Sequence, residues 1–354
     1  MTTFTIMTWN VQNLFFPAHI DGPDTQGQFQ RKVASLAAVI DQAQPHVVAL
    51  QEVGTDSVLQ HLQNTLTHPM THAAEGQPDG RGIRVAFLSM LPFESQPHHL
   101  RPYPKLVHPV QDRDPIFDDP VTPEDESLTS MMGRGALEIV VNVGGIDVTL
   151  ITAHFKSKLI TYAREEGLME GSRFQPYDEN ERFRYAAFAI FKRTAEAMTI
   201  RQRLNEILAH PAAPTELERG LGKVIPVICC GDFNDEPEAA TTQIIKGPSG
   251  SEIGTGGFPR SDVGDAFRMW NLAPLLPPVI EDDVQIPAYT RKYKGRGEII
   301  DHIFASHRLI NPDNMPQART IMNPDPLPNM GDYPDQRQNE PGSDHAAVVA
   351  TFEI

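Results

Sequence analysis

Short apolar runs that end in a carboxylate, a carboxamide or a histidine recur along this chain. In PVICCGDFNDEP (residues 226–237), a run suited to a buried strand reaches Gly231 and then presents Asp232, Asn234 and Asp235. A single ending of this kind is typical of a turn. Several in one chain favour an α/β fold, because concave sites in that class are assembled from strand ends and the loops beyond them. The polar residues at these ends are Asn10, Glu52, His154, Asp232, Asn234, Asp301, Asp344 and His345.

Periodicity predicts the strands and helices between these ends. A strand, an amphipathic helix stopped by Pro45 and a second strand form a βαβ-like opening. Gly144 and Gly145 suit the tight turn of a hairpin, and a long amphipathic helix follows it. The predicted strands cover residues 4–11, 46–53, 82–90, 224–230, 297–306 and 344–354, the hairpin covers 136–155, and the helices cover 29–43 and 181–210.

Two segments, 96–129 and 311–342, are rich in Pro and Asp and lack periodicity. We interpret them as long loops inserted within one domain of residues 1–354, because strands of the same pattern lie on both sides. The sequence therefore predicts a single α/β domain with helices on the outside.

Composition limits the classes of partner and compartment. The chain has 30 basic and 46 acidic residues, a formal net charge of −16, which argues against tight non-specific binding to phosphate backbones. It does not exclude a nuclease, since a bound cation and a local basic rim can supply positive charge.

The adjacent cysteines Cys229 and Cys230 are expected to be small buried hydrophobes. The N-terminus lacks the features of a signal peptide, and no apolar run approaches the roughly 20 residues of a membrane span, so we expect a cytoplasmic protein without a membrane anchor.

The residue types at the strand ends indicate a metal site. Carboxylate and carboxamide oxygens without thiolates suit Mg²⁺ or Mn²⁺, and Ca²⁺ as a further possibility. The sequence lacks a G-x-S-x-G elbow, a G-x-x-x-x-G-K-[ST] loop and an H-E-x-x-H helix. Acidic ligands with two histidines, one of which a carboxylate can orient, suit metal-assisted attack of water on phosphorus.

Six motifs in this order resemble the endonuclease/exonuclease/phosphatase superfamily, the DNase I-like fold. The resemblance extends from Thr5 to Phe352, and it implies a four-layer α/β sandwich: two mixed β-sheets packed face to face, with helices outside. The motifs are MTWNVQNL, VVALQEV, AHFKSK, CCGDFND, IDHIFAS and GSDHAAV.

The resemblance also implies roles for the polar residues. Asn10 and Glu52 would form the metal site with Asp344, and Glu52 would be the principal ligand. The implied catalytic residues are His154 facing the phosphate, Asp232 and Asn234 orienting water and phosphate, and His345 hydrogen-bonded to Asp301. Whether His345 is a general base or a phosphate-binding imidazolium stays open at this stage. Asp235 is expected to cap the following turn or helix.

Several basic residues are candidates for substrate binding. Lys156 lies two residues after His154, and Arg84 lies where a strand enters the sheet. The segment TRKYKGRG (residues 290–297) is the most basic short stretch, and it is interpreted either as a basic rim for the site or as a solvated hairpin loop.

These observations predict a divalent-metal-dependent phosphodiesterase, a nuclease acting on nucleic acid, which we expect to be a monomer. The similarity of HFKSK to bacterial nuclease-like members favours phosphodiesters. Two alternatives remain: a phosphomonoesterase or lipid or inositol-headgroup phosphodiesterase of the same superfamily, and a scaffold protein that has lost catalysis.

Overall fold

A computed structural model of the chain describes residues 2–55, 57–112, 127–162, 174–209, 225–247, 267–281, 283–310, 315–322, 327–331 and 334–354. Its α-helices are α1 (Gln26–Ala43), α2 (Val58–Thr65), α3 (Glu179–Leu208) and α4 (Ala240–Lys246). Its strands are β1 (Thr3–Leu14), β2 (Val47–Val53), β3 (His72–Glu75), β4 (Arg84–Ser89), β5 (His98–Pro102), β6 (Val110–Gln111), β7 (Leu128–Thr129), β8 (Met131–Val143), β9 (Ile146–His154), β10 (Val227–Asp232), β11 (Met269–Asn271), β12 (Val279–Glu281), β13 (Val284–Ile286), β14 (Arg291–Tyr293), β15 (Arg296–Glu298), β16 (Asp301–Ser306), β17 (Gln317–Ile321), β18 (Asn329–Met330) and β19 (Ala347–Glu353).

The βαβ opening predicted from the sequence is confirmed. Strand β1 pairs in parallel with β2, and α1 connects them. The side chain of Thr25 accepts a hydrogen bond from the N–H of Gln28 and so caps the start of α1. The helix ends at Gln44 in the left-handed conformation, directly before Pro45, which disfavours further helix. This unit lies in the first six-stranded sheet, sheet A, with the order β17-β19-β1-β2-β4-β3.

The predicted hairpin forms the centre of the second six-stranded sheet, sheet B. Strands β8 and β9 pair antiparallel around Gly144 and Gly145, whose φ angles of 60° and 91° suit a tight turn. Strand β10 is parallel to β9 and antiparallel to β16, and the strand order is β11-β16-β10-β9-β8-β5.

Sheets A and B pack face to face over an apolar core, which contains Phe87 of one sheet and Leu150 of the other. Helices α1 and α2 cover the outer face of sheet A, and α3 and α4 cover the outer face of sheet B. Cys230 faces the core between the sheets, and its neighbour Cys229 faces α3, as strand alternation requires. The four-layer α/β sandwich is confirmed, and both cysteines are buried and free.

The segments 96–129 and 311–342, which the sequence predicts as loops, each contain a strand that pairs with one of the sheets. Residues 98–102 form edge strand β5 of sheet B, and residues 317–321 form edge strand β17 of sheet A. Both strands are short and partly exposed, so they lack the apolar run that marks a central strand. Residues 113–126, 311–314, 323–326 and 332–333 of these segments lie outside the described part of the chain, and the single-domain organisation stays a prediction. No helix among the described residues is long and apolar enough to cross a membrane.

Gly231 connects the buried part of β10 to the polar residues that follow it. Its φ is 144°, and a Cβ at this position would lie 1.9 Å from the carbonyl oxygen of Ala153 on β9. We therefore expect Gly231→Ala to lower the free energy of unfolding by roughly 2–4 kcal/mol, through strain and a clash with backbone that cannot move aside. Urea denaturation measures the change. Gly80→Ala is the control, because a Cβ there meets nothing within 4 Å, and equal effects of the two variants would contradict this account.

Candidate active site

A row of buried polar side chains crosses sheet B where its central strands end. Asp232 is the last residue of β10, and it pairs in register with His154 on β9 and with Asp301 on β16. Residues in register project from the same face of a sheet. The ring Nε2 of His154 accordingly lies 3.3 Å from Asp232 Oδ2.

Asn10 of β1 and Glu52 of β2 reach this row from sheet A. The Nδ2 of Asn10 donates to Asp232 Oδ2 at 2.9 Å and to Glu52 Oε1 at 3.1 Å. The second Glu52 oxygen accepts from the backbone N–H of Asn13 at 2.8 Å. One carboxamide thus bridges two carboxylates that belong to different sheets.

The backbone around these side chains is strained. Gln12, Asn13 and Glu52 have φ angles of 51°, 48° and 61°, and Asn234 has a φ of 53°. The register between β1 and β2 is interrupted just after Asn10. Non-glycine residues in the left-handed region are held there only by the surrounding structure, and such residues concentrate at functional sites. The strain marks this corner as a candidate site independently of its residue types.

His345 precedes β19 of sheet A and contacts sheet B. Its Nδ1 lies 2.8 Å from Oδ2 of Asp301. The loop that carries it is fixed by two hydrogen bonds: Trp9 Nε1 donates to the His345 carbonyl at 2.8 Å, and Ser343 Oγ donates to the Asn10 carbonyl at 2.6 Å. The ring is therefore held in one orientation from both sides.

The two histidines have pKa values displaced in opposite directions. Burial, and then nearby cationic residues, lower the pKa of His154 well below its usual value. Burial also disfavours a charged His345, but the charge of Asp301, other carboxylates and the hydrogen bond to Asp301 outweigh it and raise the pKa of His345 to about 10. At neutral pH His154 is neutral, and His345 is an imidazolium.

The carboxyl group of Asp232 lies between these rings. Burial, followed by the charge of Asp301, raises its pKa to about 7, although the charge of His345 and the hydrogen bond from Asn10 act in the opposite sense. This carboxyl group can therefore exchange a proton near neutral pH.

The turn after β10 places Asn234 beside Asp232 and directs Phe233 away from it. The Asn234 N–H donates to Asp232 Oδ1 at 2.9 Å, and its Nδ2 donates to the Phe155 carbonyl at 3.1 Å. Phe233 is buried and stacks on the Phe155 ring at 4.6 Å between centroids. Asp232 and Phe233 therefore project to opposite sides, as alternation along an extended chain requires.

Asp344 has partners different from those of the other acids. Its Oδ2 lies 3.4 Å from Nε of Arg291, a residue whose backbone pairs with His345. Beneath this loop, the buried Lys32 of α1 donates to the Gly342 carbonyl at 2.9 Å. Asp344 is therefore adjacent to the site but is paired with a cation of the protein.

The sequence model of the Endonuclease/Exonuclease/phosphatase family matches residues 7–138 and 174–345, and thus most of the chain. The chain belongs to this family. Members are in general phosphoric ester hydrolases, and the resemblance inferred from the six motifs is confirmed.

Solved structures show the same fold at low sequence identity. Sphingomyelinase C from Streptomyces griseocarneus is 14% identical with a TM-score of 0.55, and the match covers 100% of both chains. The human Nocturnin catalytic domain, solved with a bound sulfate anion, is 16% identical with a TM-score of 0.51, and the match covers 99% of this chain and 94% of that one. A truncated TDP2 from Caenorhabditis elegans is 14% identical with a TM-score of 0.50, covering 99% of this chain and 98% of that one. No curated protein sequence gives a significant match.

The two residues predicted to bind substrate, Arg84 and Lys156, already have partners within this family member. Arg84 Nη1 pairs with Glu75 at 2.9 Å, and its Nε donates to the Gly54 carbonyl at 3.1 Å. The Nζ of Lys156 donates to the carbonyls of Ser157 and Leu159 at 3.4 and 3.2 Å. Burial, followed by the charge of Arg134, lowers the pKa of Lys156 to about 8. Both cations are engaged by the protein, and their role toward substrate stays a prediction.

Asp235 does not cap the helix that follows, in contrast to our expectation. Ala239 is the N-cap of α4, and no side chain caps its N-terminus. Asp235 instead pairs with Arg193 of α3 at 2.8 Å and accepts from the Thr241 hydroxyl at 2.5 Å. Its carboxylate therefore joins the turn after β10 to two helices.

The basic segment 290–297 forms a hairpin, and its role as a basic rim of the site stays a prediction. Strands β14 and β15 form it, with Lys294 and Gly295 at positive φ in the turn. Lys292 pairs with Glu281 at 2.5 Å, and Arg296 pairs with Glu236 at 3.2 Å. Much of its positive charge is thus already matched by carboxylates.

Sequence reasoning missed cations that the fold brings near the site. Arg134 on β8 donates to the Phe155 carbonyl at 3.4 Å, and its charge acts on His154. Lys32 could have been noticed, because it occupies the buried face of α1 together with Phe29 and Leu36, where a lysine needs an explanation. No comparable signal marks Arg134, which lies in β8 between Met131 and Ala136, where the register with β5 is interrupted.

The donor set fits a hard divalent cation. Glu52 and Asp232 present carboxylate oxygens held by a common donor, the Nδ2 of Asn10. Burial and the charge of Asp301 disfavour the ionised form of Asp232 and raise its pKa, and a bound cation would favour that form. Asp232, Asp301 and His345 also lie close enough to be a ligand set. The hydrogen bond between His345 and Asp301 competes with that arrangement, so Glu52 and Asp232 are the better ligands.

Removing the Asp301 charge should change the titration of His345. We expect Asp301→Asn to lower the pKa of the His345 ring from about 10 towards its ordinary value, because burial then acts without its main opposing charge. NMR titration of the imidazole resonances in metal-free protein measures this. Asp147→Asn, at the distant β8–β9 turn, should leave the titration unchanged. An unaltered pKa in Asp301→Asn would refute the electrostatic assignment.

Proposed function

We propose that the protein is a divalent-metal-dependent phosphodiesterase, specifically a nuclease that hydrolyses nucleic-acid phosphodiester bonds. The observation that carries the proposal is the charged His345–Asp301 pair facing Asp232, which Asn10 links to Glu52 across the two sheets. This arrangement combines a proton acceptor, a fixed cation and carboxylate ligands within one buried corner.

Glu52 and Asp232 would hold the metal, with Asn10 setting the separation of their carboxylates. Mg²⁺ fits such oxygen ligands, as does Mn²⁺. When bound, the metal would neutralise phosphate oxygens and favour deprotonation of water. We assign Asp344 a supporting role, since it is paired with Arg291.

The proposed role of each of the other side chains follows from its charge. His345, oriented by Asp301, donates from Nε2 to a phosphate oxygen and stabilises the negative charge that develops there. His154 is neutral and can donate one hydrogen bond from Nε2 toward the same phosphate. Asp232 and Asn234 orient the attacking water, and the Asp232 carboxylate accepts its proton.

Phosphodiesters are preferred over the alternatives because of the HFKSK motif, since the shared fold does not distinguish substrates. A nucleic-acid partner, a monomeric state and a cytoplasmic location stay predictions from the sequence. Hydrolysis of phosphomonoesters alone, or of a lipid headgroup alone, would place the protein among the alternatives within the family.

The first test compares substrates and variants. Labelled single- and double-stranded DNA, RNA, sphingomyelin and p-nitrophenyl phosphate are incubated with Mg²⁺, Mn²⁺ or EDTA. We expect nucleic-acid cleavage that EDTA abolishes, and a fall in kcat/KM of roughly 10²-fold or more in Glu52→Gln and in His345→Ala. Asp147→Asn serves as the control. Full metal-dependent activity in Glu52→Gln would defeat the proposal.

The second test measures the metal without turnover. Saturating Mg²⁺ or Mn²⁺ should raise the Tm. At a metal concentration of 100 times the Kd, binding adds about 2.7 kcal/mol to the free energy of unfolding. Because a proton competes for Asp232, whose pKa is about 7, the stabilisation should be larger at pH 8 than at pH 6. Glu52→Gln should lose most of it. Equal stabilisation of wild type and Glu52→Gln would place the metal elsewhere.

A further inference from the structure

Arg291 is the cation of the β14–β15 hairpin that lies against the active site. Its backbone pairs with that of His345, and the neighbouring Thr290 carbonyl accepts from the N–H of Ala346 at 2.7 Å. The Thr290 hydroxyl also accepts from the N–H of Asp301 at 3.2 Å. Residues Thr290 and Arg291 therefore hold the backbone next to both members of the His345–Asp301 pair, and they set the position at which the Arg291 side chain begins.

The guanidinium of Arg291 is positioned but poorly satisfied. Its contact with Asp344 is 3.4 Å through Nε, and this buried Nε makes no hydrogen bond within the described part of the chain. The side chain is 23% exposed, so the group is only partly closed off from solvent. A bidentate arginine–carboxylate pair would be shorter and would use two parallel N–H donors.

The adjacent Lys292 gives the opposite picture. It points to the other side of β14, where its ammonium pairs with Glu281 at 2.5 Å and lies 5.5 Å from the centroid of the Tyr289 ring. The two neighbouring cations of β14 thus differ. Lys292 is paired on the side away from the site, whereas Arg291 faces the site and can still donate hydrogen bonds to a further partner.

We propose that Arg291 is a phosphate-binding residue, whose guanidinium contacts non-bridging oxygens of the substrate phosphate from the His345 side and is held by Asp344 until substrate arrives. The planar fork of a guanidinium matches two phosphate oxygens, and its charge persists at all physiological pH values. This inference deepens the proposed function and rests on it for the identity of the phosphoester, but the anion site itself can be tested separately.

The site needs such a residue on physical grounds. Glu52, Asp232, Asp301 and Asp344 repel an incoming phosphate, and the charges of Asp344, Asp232 and Glu52 all act on Arg291. A metal would offset part of that repulsion. The guanidinium would offset more, close to the position at which His345 donates.

The experiment measures binding of inorganic phosphate to the Mg²⁺-loaded protein by calorimetry, together with the Mg²⁺ Kd, for Arg291→Ala, Arg291→Gln and Arg291→Lys. We expect phosphate binding to weaken at least 10-fold in the Ala and Gln variants and less in Arg291→Lys, with the Mg²⁺ Kd within twofold of wild type. Lys292→Ala is the matched control and should bind phosphate as wild type does. In turnover, KM for the phosphoester should rise more than kcat falls.

Phosphate binding unchanged in folded Arg291→Ala or Arg291→Gln would overturn the inference. A parallel loss of Mg²⁺ affinity would also overturn it, because Arg291 would then act only through Asp344. If wild type hydrolyses no phosphoester but its phosphate binding depends on Arg291, the proposed function fails and the anion site stands.

Discussion

Three hydrogen bonds between the two sheets hold the site together. Asn10 bonds to Asp232, His345 bonds to Asp301, and Gln51 Nε2 donates to Thr152 Oγ1 at 3.0 Å. Each joins a residue of sheet A, or of the loop leading into it, to a residue of sheet B, at the edge of an otherwise apolar interface. Buried polar groups of this kind are costly without partners, and each partner here lies on the opposite sheet. The geometry of the candidate site and the packing of the sandwich therefore depend on one another.

The packing of the two sheets gives the imidazole rings of His154 and His345 different protonation states. His154 ends a strand of sheet B in a buried corner where Arg134, Arg81 and Lys156 supply positive charge, so its neutral form is favoured. His345 enters from the other side and meets mainly carboxylates, so its charged form is favoured. Environments that push the pKa values of paired groups apart are a means by which one site provides both donors and acceptors of protons. The sequence shows two histidines in recognisable motifs, but only the facing of the sheets shows that their charges differ.

The order and type of the main elements could be predicted because the central strands are buried and their apolar runs end at polar residues. Asn10, Glu52, His154, Asp232, Asp301 and His345 are brought together as the strand-end pattern implied. The edge strands β5 and β17 could not be predicted, since their pairing depends on a neighbour and not on their own composition. Arg134 and Arg84 show the same limit for side chains: whether a cation faces substrate or a carboxylate of the protein depends on contacts with other segments, with Asp79 for Arg134 and with Glu75 for Arg84.

Net charge illustrates how a global property can mislead about a local site. The value of −16 counts every exposed carboxylate, but a phosphate in the active site responds to charges within about a Debye length, roughly 8–10 Å. Three positive groups oppose the four carboxylates in that corner: Lys32, Arg291 and the His345 imidazolium. A bound divalent cation would bring the net charge of the site close to neutral or above. An acidic protein can therefore bind a phosphoester, provided that its few cations are placed by the fold and not gathered along the sequence. Such placement limits the number of phosphates contacted at once, and so favours recognition of one phosphate and its immediate neighbours over tight binding along a long duplex.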